Sequence, residues 1–583
     1  MNKIYRIKPD QTGIQIVFPI VVFIVILGTA FCDFHIFTDS ELSSKWYWLY
    51  TVLPLCGLLF LVVRQKQTHT IGYSVYLLIF LFLYCFIRVA IGEYIVSFLS
   101  IAACFFLIFY LTGKAIRDQA FKWFSVSIVT VSFLQALYGI AQYIGLLHST
   151  GNFKTVGSFD NPAGFASMLT LSVPFALYFI SSKNRQIKNA ALLIIATICI
   201  AIILSGSRTG LLAFVILSIL YTINRHHTYF TKVAVWKKIV VGSLFIAVLT
   251  GLYFTKKDSA DGRVLIWKCT WEMIQEKPVF GHGYKSFMAK YMLYQAHYFE
   301  QNPESDFGSL ADNIKHPFNE FLLLIVEFGI IAFLILSLLI TNLIRTYLKN
   351  KNEESFILIL CLTAVFVFSC FSYPFQYPFT WFIVGFCISY LSVTLCNSPI
   401  QSPYRCRIVK NTVALLSIAL LSFNIKNMYY DWKWHQAVNQ IRHGTTKELL
   451  SEYESLYSHF YNNPFFLYNY AALLNSKRDW DNSAEIIRNC EKYLNDYDIQ
   501  MLKGDNYKKQ HYIIQAKECF EVASQMCPGK FTPLFELVNI YDSLNQPDRA
   551  KELAVEIINK PVKVPSATIT AMKMRMTNRM KAE

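Results

Sequence analysis

The sequence predicts an all-α membrane protein: a polytopic bundle of about thirteen transmembrane helices, followed by a C-terminal helical-repeat domain outside the membrane. Three observations predict it. Apolar residues make up 54% of the 583 positions and charged residues only 16%, where an ordinary soluble chain carries ~25% charge. Up to residue 425 the apolar residues come in runs of roughly the ~20 needed to cross ~30 Å of hydrocarbon as a helix. From residue 430 the composition becomes ordinary, and small and aromatic residues recur at intervals of 33 and 34 residues. This arithmetic excludes disorder, collagen, a coiled coil and one small soluble domain.

The candidate spans lie near 14–31, 46–63, 71–90, 94–113, 123–145, 163–181, 189–205, 209–224, 236–254, 320–343, 355–372, 377–396 and 409–425. The first is long for a cleaved signal and heads a train of others, so it reads as a signal anchor. The basic residues support this order. Lys3, Arg6 and Lys8 precede span one, and Arg64 and Lys66 follow span two. Lys114, Arg117 and Lys122, then Lys183, Arg185 and Lys188, then Arg225, Lys232, Lys237 and Lys238 occupy every second connection after that. Arg345, Lys349 and Lys351, and finally Arg405, Arg407 and Lys410, keep the phase. Basic loops stay on the cytoplasmic side. The expected topology has a cytoplasmic N-terminus, with the Ser205–Arg208 turn, a long loop over 255–319 and the whole tail outside. The net charge of +16 is then topogenic; no basic stripe or nucleic-acid module accompanies it. Of the fourteen Cys most sit in apolar runs, where they behave as small hydrophobes. No tetrahedral metal-ligand spacing appears, and no cofactor is called for.

Residues 430–583 read as helical repeats. Units opening at Pro464, Tyr497 and Phe531 carry Tyr470, Ala471 and Leu474, then Gly504, Ala516, Phe520 and Ala523, then Leu537, Tyr541, Ala550 and Ala554. They look like tetratricopeptide-type helix pairs, which stack and present a concave surface for a partner.

Chemistry-bearing residues gather at the outward ends. Ser205-Gly206-Ser207-Arg208-Thr209-Gly210 places one cation at the membrane boundary, beside two glycines and small hydroxyls. Such an arginine either snorkels to headgroups or serves a site. In the long loop, Asp261-Gly262-Arg263 opens an expected amphipathic helix lying on the membrane, with Trp267 and Trp271 on one side. Gly281-His282-Gly283-Tyr284-Lys285 follows Pro278, and Tyr284 and Lys285 are candidates to bind substrate. The loop ends in His316-Pro317-Phe318-Asn319-Glu320. An imidazole there suits proton transfer at neutral pH, and Asn319 and Glu320 can orient it or a sugar. Glu327 lies in apolar sequence and needs a partner. Ser372–Pro378 makes a further outward corner. Two arginines match a diphosphate, and a histidine can take a proton from an attacking hydroxyl. A diphosphate at the lipid surface implies a lipid-linked donor and a transfer without metal, the arginines carrying the leaving-group charge.

Ser207-Arg208-Thr209-Gly210, Gly262-Arg263 with Trp267 and Pro278-x-x-Gly281-x-Gly283, and His316-Pro317-Phe318-Asn319-Glu320 ahead of Glu327-x-Gly329 together resemble the O-antigen ligase and polysaccharide polymerase superfamily over about residues 70–395. The resemblance implies a bacterial inner-membrane enzyme that moves a glycan from undecaprenyl diphosphate to an acceptor: lipid A–core in ligases, a growing glycan in polymerases, Ser or Thr of proteins in the related O-oligosaccharyltransferases. It implies that Arg208 and Arg263 grip the diphosphate and that His316 is the loop histidine. Many members carry histidine immediately before the asparagine, where this chain has Phe318. The extra last span, with an exported tail, is a second departure and leans toward a protein partner or acceptor. The leading expectation is the ligase reaction, with Arg208, Arg263 and His316 catalytic and Ser207, Tyr284, Lys285, Asn319 and Glu320 binding substrate. Polymerase and protein O-glycosylation are its alternatives. A lipid-linked glycan transporter fits the outer loop poorly, since transport sites lie near the midplane, and a sensor or scaffold leaves the loop motifs without a role.

Overall fold

The computed structural model describes residues 12–62, 73–89, 94–114, 117–149, 153–226, 251, 257–349, 351–394, 403–443 and 447–582. These form twenty-two α-helices and two 3-10 turns. Two compact units result. One comprises Met1–Thr250, Phe318–Phe321 and Ala332–Asn439; the other comprises Gly251–Pro317, Leu322–Ile331 and Gln440–Glu583.

The first unit contains α1 (Thr12–Phe31), α2 (Ser40–Val62), α3 (Tyr73–Val89), α4 (Ile95–Lys114), α5 (Arg117–Tyr143), α6 (Pro162–Ile180), α7 (Arg185–Ser205) and α8 (Arg208–Arg225). Also in it are both ends of α11 (Glu320–Lys349), all of α12 (Glu353–Phe371) and α13 (Pro378–Thr394), and nearly all of α14 (Pro403–His443). Among the described residues, eight helices are long and apolar enough to cross a membrane: α2, α4, α5, α6, α7, α11, α12 and α14. Shorter apolar helices cover Val17–Phe31, Tyr73–Val89 and Pro378–Ser392. The expected thirteen spans are therefore matched by eight full-length helices and three shorter ones. Of the remaining two, α8 has 18 residues with polar groups at both ends, and 236–254 lies outside the described residues apart from Gly251.

Helix α6 sits at the middle of this unit, against α5, α7, α8 and α12. Of its apolar window 78% is buried, against 22% for α7, whose Leu192, Leu193, Ile200 and Ile203 point outward as lipid-facing side chains do. The hydroxyls inside α6 return to their own backbone, Thr170 to Ala166 O and Ser172 to Leu169 O, both at 2.7 Å. A polar group in hydrocarbon must be satisfied this way. Gly210 lets α8 close on α6, since a Cβ there would stand 2.8 Å from that of Ala166. Helix α14 runs for 41 residues, well past the apolar run. Its buried Asp431 accepts from Tyr47 Oη at 3.0 Å and Thr38 N at 3.3 Å.

The second unit contains α9 (Lys257–Glu276), α10 (Ser286–Gln301), the middle of α11, and a helical C-terminal region. That region is α15 (Lys447–Phe460), the pairs α16 (Pro464–Ser476) with α17 (Trp480–Cys490), α18 (Tyr497–Lys509) with α19 (Ile513–Met526), and α20 (Thr532–Ser543) with α21 (Pro547–Asn559), then α22 (Ala567–Ala582). Asn463 caps α16 ahead of a proline at its first turn, and Asp496 caps α18. Gly504 admits the Phe520 ring, and Ala516, Ala523, Ala550 and Ala554 are fully buried. The sequence periodicity thus marks three real helix pairs. Helix α10 packs on α19 as well as on α9, and buried Gln295 donates to Met526 O at 2.6 Å and Asp312 O at 3.1 Å.

Candidate active site

In the transmembrane unit, the corner between α7 and α8 is built by its small residues. Gly206 ends α7 in the left-handed region at φ 66°, a conformation glycine adopts freely. Ser207 caps α8, its hydroxyl accepting from Gly210 N at 3.2 Å, and Ser205 donates to Ile202 O at 2.7 Å. The glycines and hydroxyls expected to admit an anion are committed to this turn. Arg208 stands half-buried as the first residue of α8, where the helix N-terminus also favours an anion.

Asn319 and Glu320 likewise hold structure together. Asn319 caps α11 through Phe321 N at 3.0 Å and donates to Cys370 O at 3.1 Å. Glu320 accepts from Phe375 N at 3.2 Å. Phe318 sits at φ 54°, rare for a bulky residue, with its ring 5.4 Å from that of Tyr373. Tyr373 and Tyr377 meet Asn161 Nδ2 at 3.1 and 2.7 Å, and Tyr377 also donates to Asp160 at 2.7 Å. The motif start is thereby tied through the Tyr373–Tyr377 corner to the beginning of α6. Sequence reasoning marked the corner but missed Asp160-Asn161, whose signal is an Asn-Pro helix start. It also missed Lys45, buried in α2, donating to Glu41 O at 2.6 Å and facing the Phe159 ring at 5.4 Å.

In the second unit the loop after Pro278 enters a break in α11. Gly329 has φ 77° and ψ 179°, a region only glycine occupies readily. The freed backbone groups pair with the loop: His282 N donates to Val326 O at 2.7 Å, Gly283 N to Glu327 O at 3.0 Å, and Ile330 N to Pro278 O at 2.9 Å. Close approach explains two glycines at once. A Cβ on Gly281 would lie 2.6 Å from the Glu327 backbone, and one on Gly329 would overlap the Val279 carbonyl. The buried Glu327 carboxylate accepts from Lys285 N at 2.9 Å, so one of its partners is a backbone amide. Lys285 stands at φ 60° beside Tyr284, its ammonium 5.8 Å from that ring. Burial pulls this ammonium below the usual lysine range, against the pull of Glu327. His282 is held between Met273 O at 2.7 Å and Lys290 Nζ at 3.4 Å, in a scaffold role.

His316 is half-buried, and this burial brings its pKa from 6.5 down to about 3. The imidazole is therefore neutral at physiological pH. Helix α9 was expected to lie on the membrane by its Trp267–Trp271 side. Its opposite stripe, Leu265, Ile266, Cys269, Thr270, Met273 and Ile274, is buried, and the helix packs on α10. Trp271 stays 55% exposed, while the Trp267 indole donates to Pro317 O at 3.0 Å. Arg263 lies one turn before Trp267, on the same face of α9. This unit thus brings Arg263, Trp267 and the His316-Pro317 dipeptide to one end of the loop. Among the described residues no cluster of His, Cys, Asp and Glu is suited to a metal.

Comparison with known proteins finds two sequence similarities. The O-antigen ligase family model matches residues 190–337, which include Arg208, the long loop and the break in α11. The chain is 25% identical over 423 residues to the ComP-specific O-oligosaccharyltransferase of Acinetobacter baylyi, covering 67% of this chain and 73% of that protein. A superposition on the yeast Tom70 crystal structure covers 80% of this chain and 92% of the other at 12% identity, but with a TM-score of 0.24 it carries no argument. The family match and the long similarity indicate a glycan transferase, and the eight long apolar helices make it a multi-pass membrane protein.

Proposed function

We propose that the chain transfers a glycan from undecaprenyl diphosphate to a hydroxyl of a protein acceptor on the periplasmic face. The observation that carries this reading is the similarity, spanning 423 residues, to an O-oligosaccharyltransferase named for its specificity toward ComP. The acceptor oxygen attacks the anomeric carbon while the bond from that carbon to the diphosphate oxygen breaks, inverting the centre. The proton passes to His316, which burial keeps neutral at pH 7. An arriving diphosphate raises the imidazole pKa, because a neighbouring negative charge favours the protonated form. Arg208 and Arg263 take up the leaving-group charge, and Tyr284 and Lys285 bind the donor. Ser207, Asn319 and Glu320 act through the bonds described above, by holding helix ends.

The alternating basic connections support a cytoplasmic N-terminus, and the helix pairs then form a periplasmic repeat domain offering a surface to the acceptor or a protein partner. Transfer to lipid A–core is the second reading, favoured by the O-antigen ligase match at 190–337. A deletion strain complemented with wild type, Arg263→Ala or His316→Ala at matched expression separates the two. Loss of glycan from proteins, with lipopolysaccharide unchanged, is expected in both variants. Bare lipid A–core with normal glycoproteins would favour the second reading.

A further inference from the structure

We infer that the C-terminal helices act on the reaction by clamping the segment that ends in His316, and that Asn313 is its positioning residue. This rests on the reading of His316 given above. Asn313 Nδ2 donates to two carboxylates of the C-terminal region, Asp496 at 3.0 Å and Asp498 at 2.9 Å. Asp496 is 1% exposed and uses its other oxygen to cap α18, so this anchor is set by the start of a helix. Two residues on, the Lys315 ammonium lies 4.7 Å from the Phe465 ring, at the first turn of α16. One residue before Asn313, the Asp312 carbonyl shares the Gln295 amide with Met526 O of α19. On the far side of His316, Trp267 holds Pro317 O. The histidine is therefore suspended between anchors, and those upstream come from helix pairs distant in sequence. A tail serving only to dock a partner needs none of these bonds to the segment. A base displaced by about 1 Å loses ~100-fold in rate, so the clamp sets turnover without touching substrate.

The test exploits the chemistry of one amide between two carboxylates. Asn313→Asp puts a third carboxylate there and opens the clamp. Adding Asp498→Asn restores a donor–acceptor pair in reverse. Asp496 is left alone because it caps a helix. The full-length proteins are compared in detergent for thermal midpoint and for the rate at which diethyl pyrocarbonate modifies His316, followed by mass spectrometry. Glycan transfer is measured in membranes of a deletion strain expressing each variant, with His316→Ala alongside. Expected for Asn313→Asp are an unchanged thermal midpoint, several-fold faster modification of His316 and a transfer rate lowered ~10–100-fold, with both rates returning toward wild type in the double variant. Wild-type modification and transfer in Asn313→Asp, with His316→Ala inactive, would overturn the clamp and leave the catalytic reading intact. Loss of activity tracking a lowered midpoint, with no recovery in the double variant, would overturn it in favour of a purely structural bond. Wild-type transfer by His316→Ala would instead overturn the catalytic reading on which the clamp depends.

Discussion

His316 carries the sharpest residue-scale expectation, because its environment fixes its protonation. With its pKa at about 3 in the free enzyme, the apparent second-order rate constant at limiting donor has no inflection from this group between pH 5.5 and 8. A pH–rate profile at limiting donor checks this, and a limb centred near 6.5 would show an ordinary solvated histidine. The same shift bears on stability. The unfolded chain binds this proton more readily than the native one, so the contribution is full above about 6.5 and is lost as pH falls toward 3. Trp267→Phe keeps the ring but removes the indole donor to Pro317 O. The expected cost is ~0.5–1.5 kcal/mol of local stability, with a transfer rate lowered more than its thermal midpoint would suggest; an unchanged rate would show that the bond does not position the loop end. The sequence made Arg208, Arg263, His316 and Glu327 visible because charge in or beside apolar sequence is costly. It did not show that Ser207, Asn319 and Glu320 are used as caps and ties. A side chain's partner depends on which backbone groups the tertiary fold leaves open, as with the Phe375 amide at Glu320.

At the scale of the element, the break in α11 is the feature on which the loop depends. Gly329→Ala forces a residue with a side chain into φ 77° and ψ 179° and onto the Val279 carbonyl. Strain of this kind costs ~1–3 kcal/mol before the steric overlap is added. The expected outcome is a large loss of folded protein by fluorescence-detected size exclusion, and full recovery of wild-type yield would contradict the described junction. The Gly281-x-Gly283 and Glu327-x-Gly329 patterns were legible as motifs. That one inserts into the other was not, since the pairing joins stretches over forty residues apart through main-chain groups that carry no side-chain signature. Helix α9 was legible as an amphipathic helix with a tryptophan side, whereas the stripe it buries was not. The stripe through Leu265, Ile266, Cys269 and Met273 was equally apolar, and which one turns inward is decided by α10.

For the whole molecule, the two compact units are each assembled from stretches that are not consecutive in the chain. Hydropathy draws a boundary near residue 425, but the long loop over 257–317 and the C-terminal helix pairs belong to one compact unit. Removing residues 447–582 therefore strips α10 of α19 and leaves Gln295 without its partner at Met526. A chain truncated after residue 446 is expected to insert in the membrane, to expose 257–317 to limited proteolysis and to lose transfer. Full activity in the truncated chain would contradict an integral role for the tail. The spans were legible because hydrocarbon thickness imposes a length, and the helix pairs because their nested small residues recur.

Glycan transfer to protein hydroxyls is directly observable with purified components. The most direct measurement reconstitutes the purified full-length chain in proteoliposomes with undecaprenyl-diphosphate-linked glycan and periplasmic proteins extracted from a deletion strain. Glycopeptides are then identified by mass spectrometry. Glycan on Ser or Thr of one or a few proteins, absent with the Arg208→Ala, Arg263→Ala double variant, is the predicted result. Consumption of the donor only when lipid A–core is supplied, with every protein left bare, would contradict it.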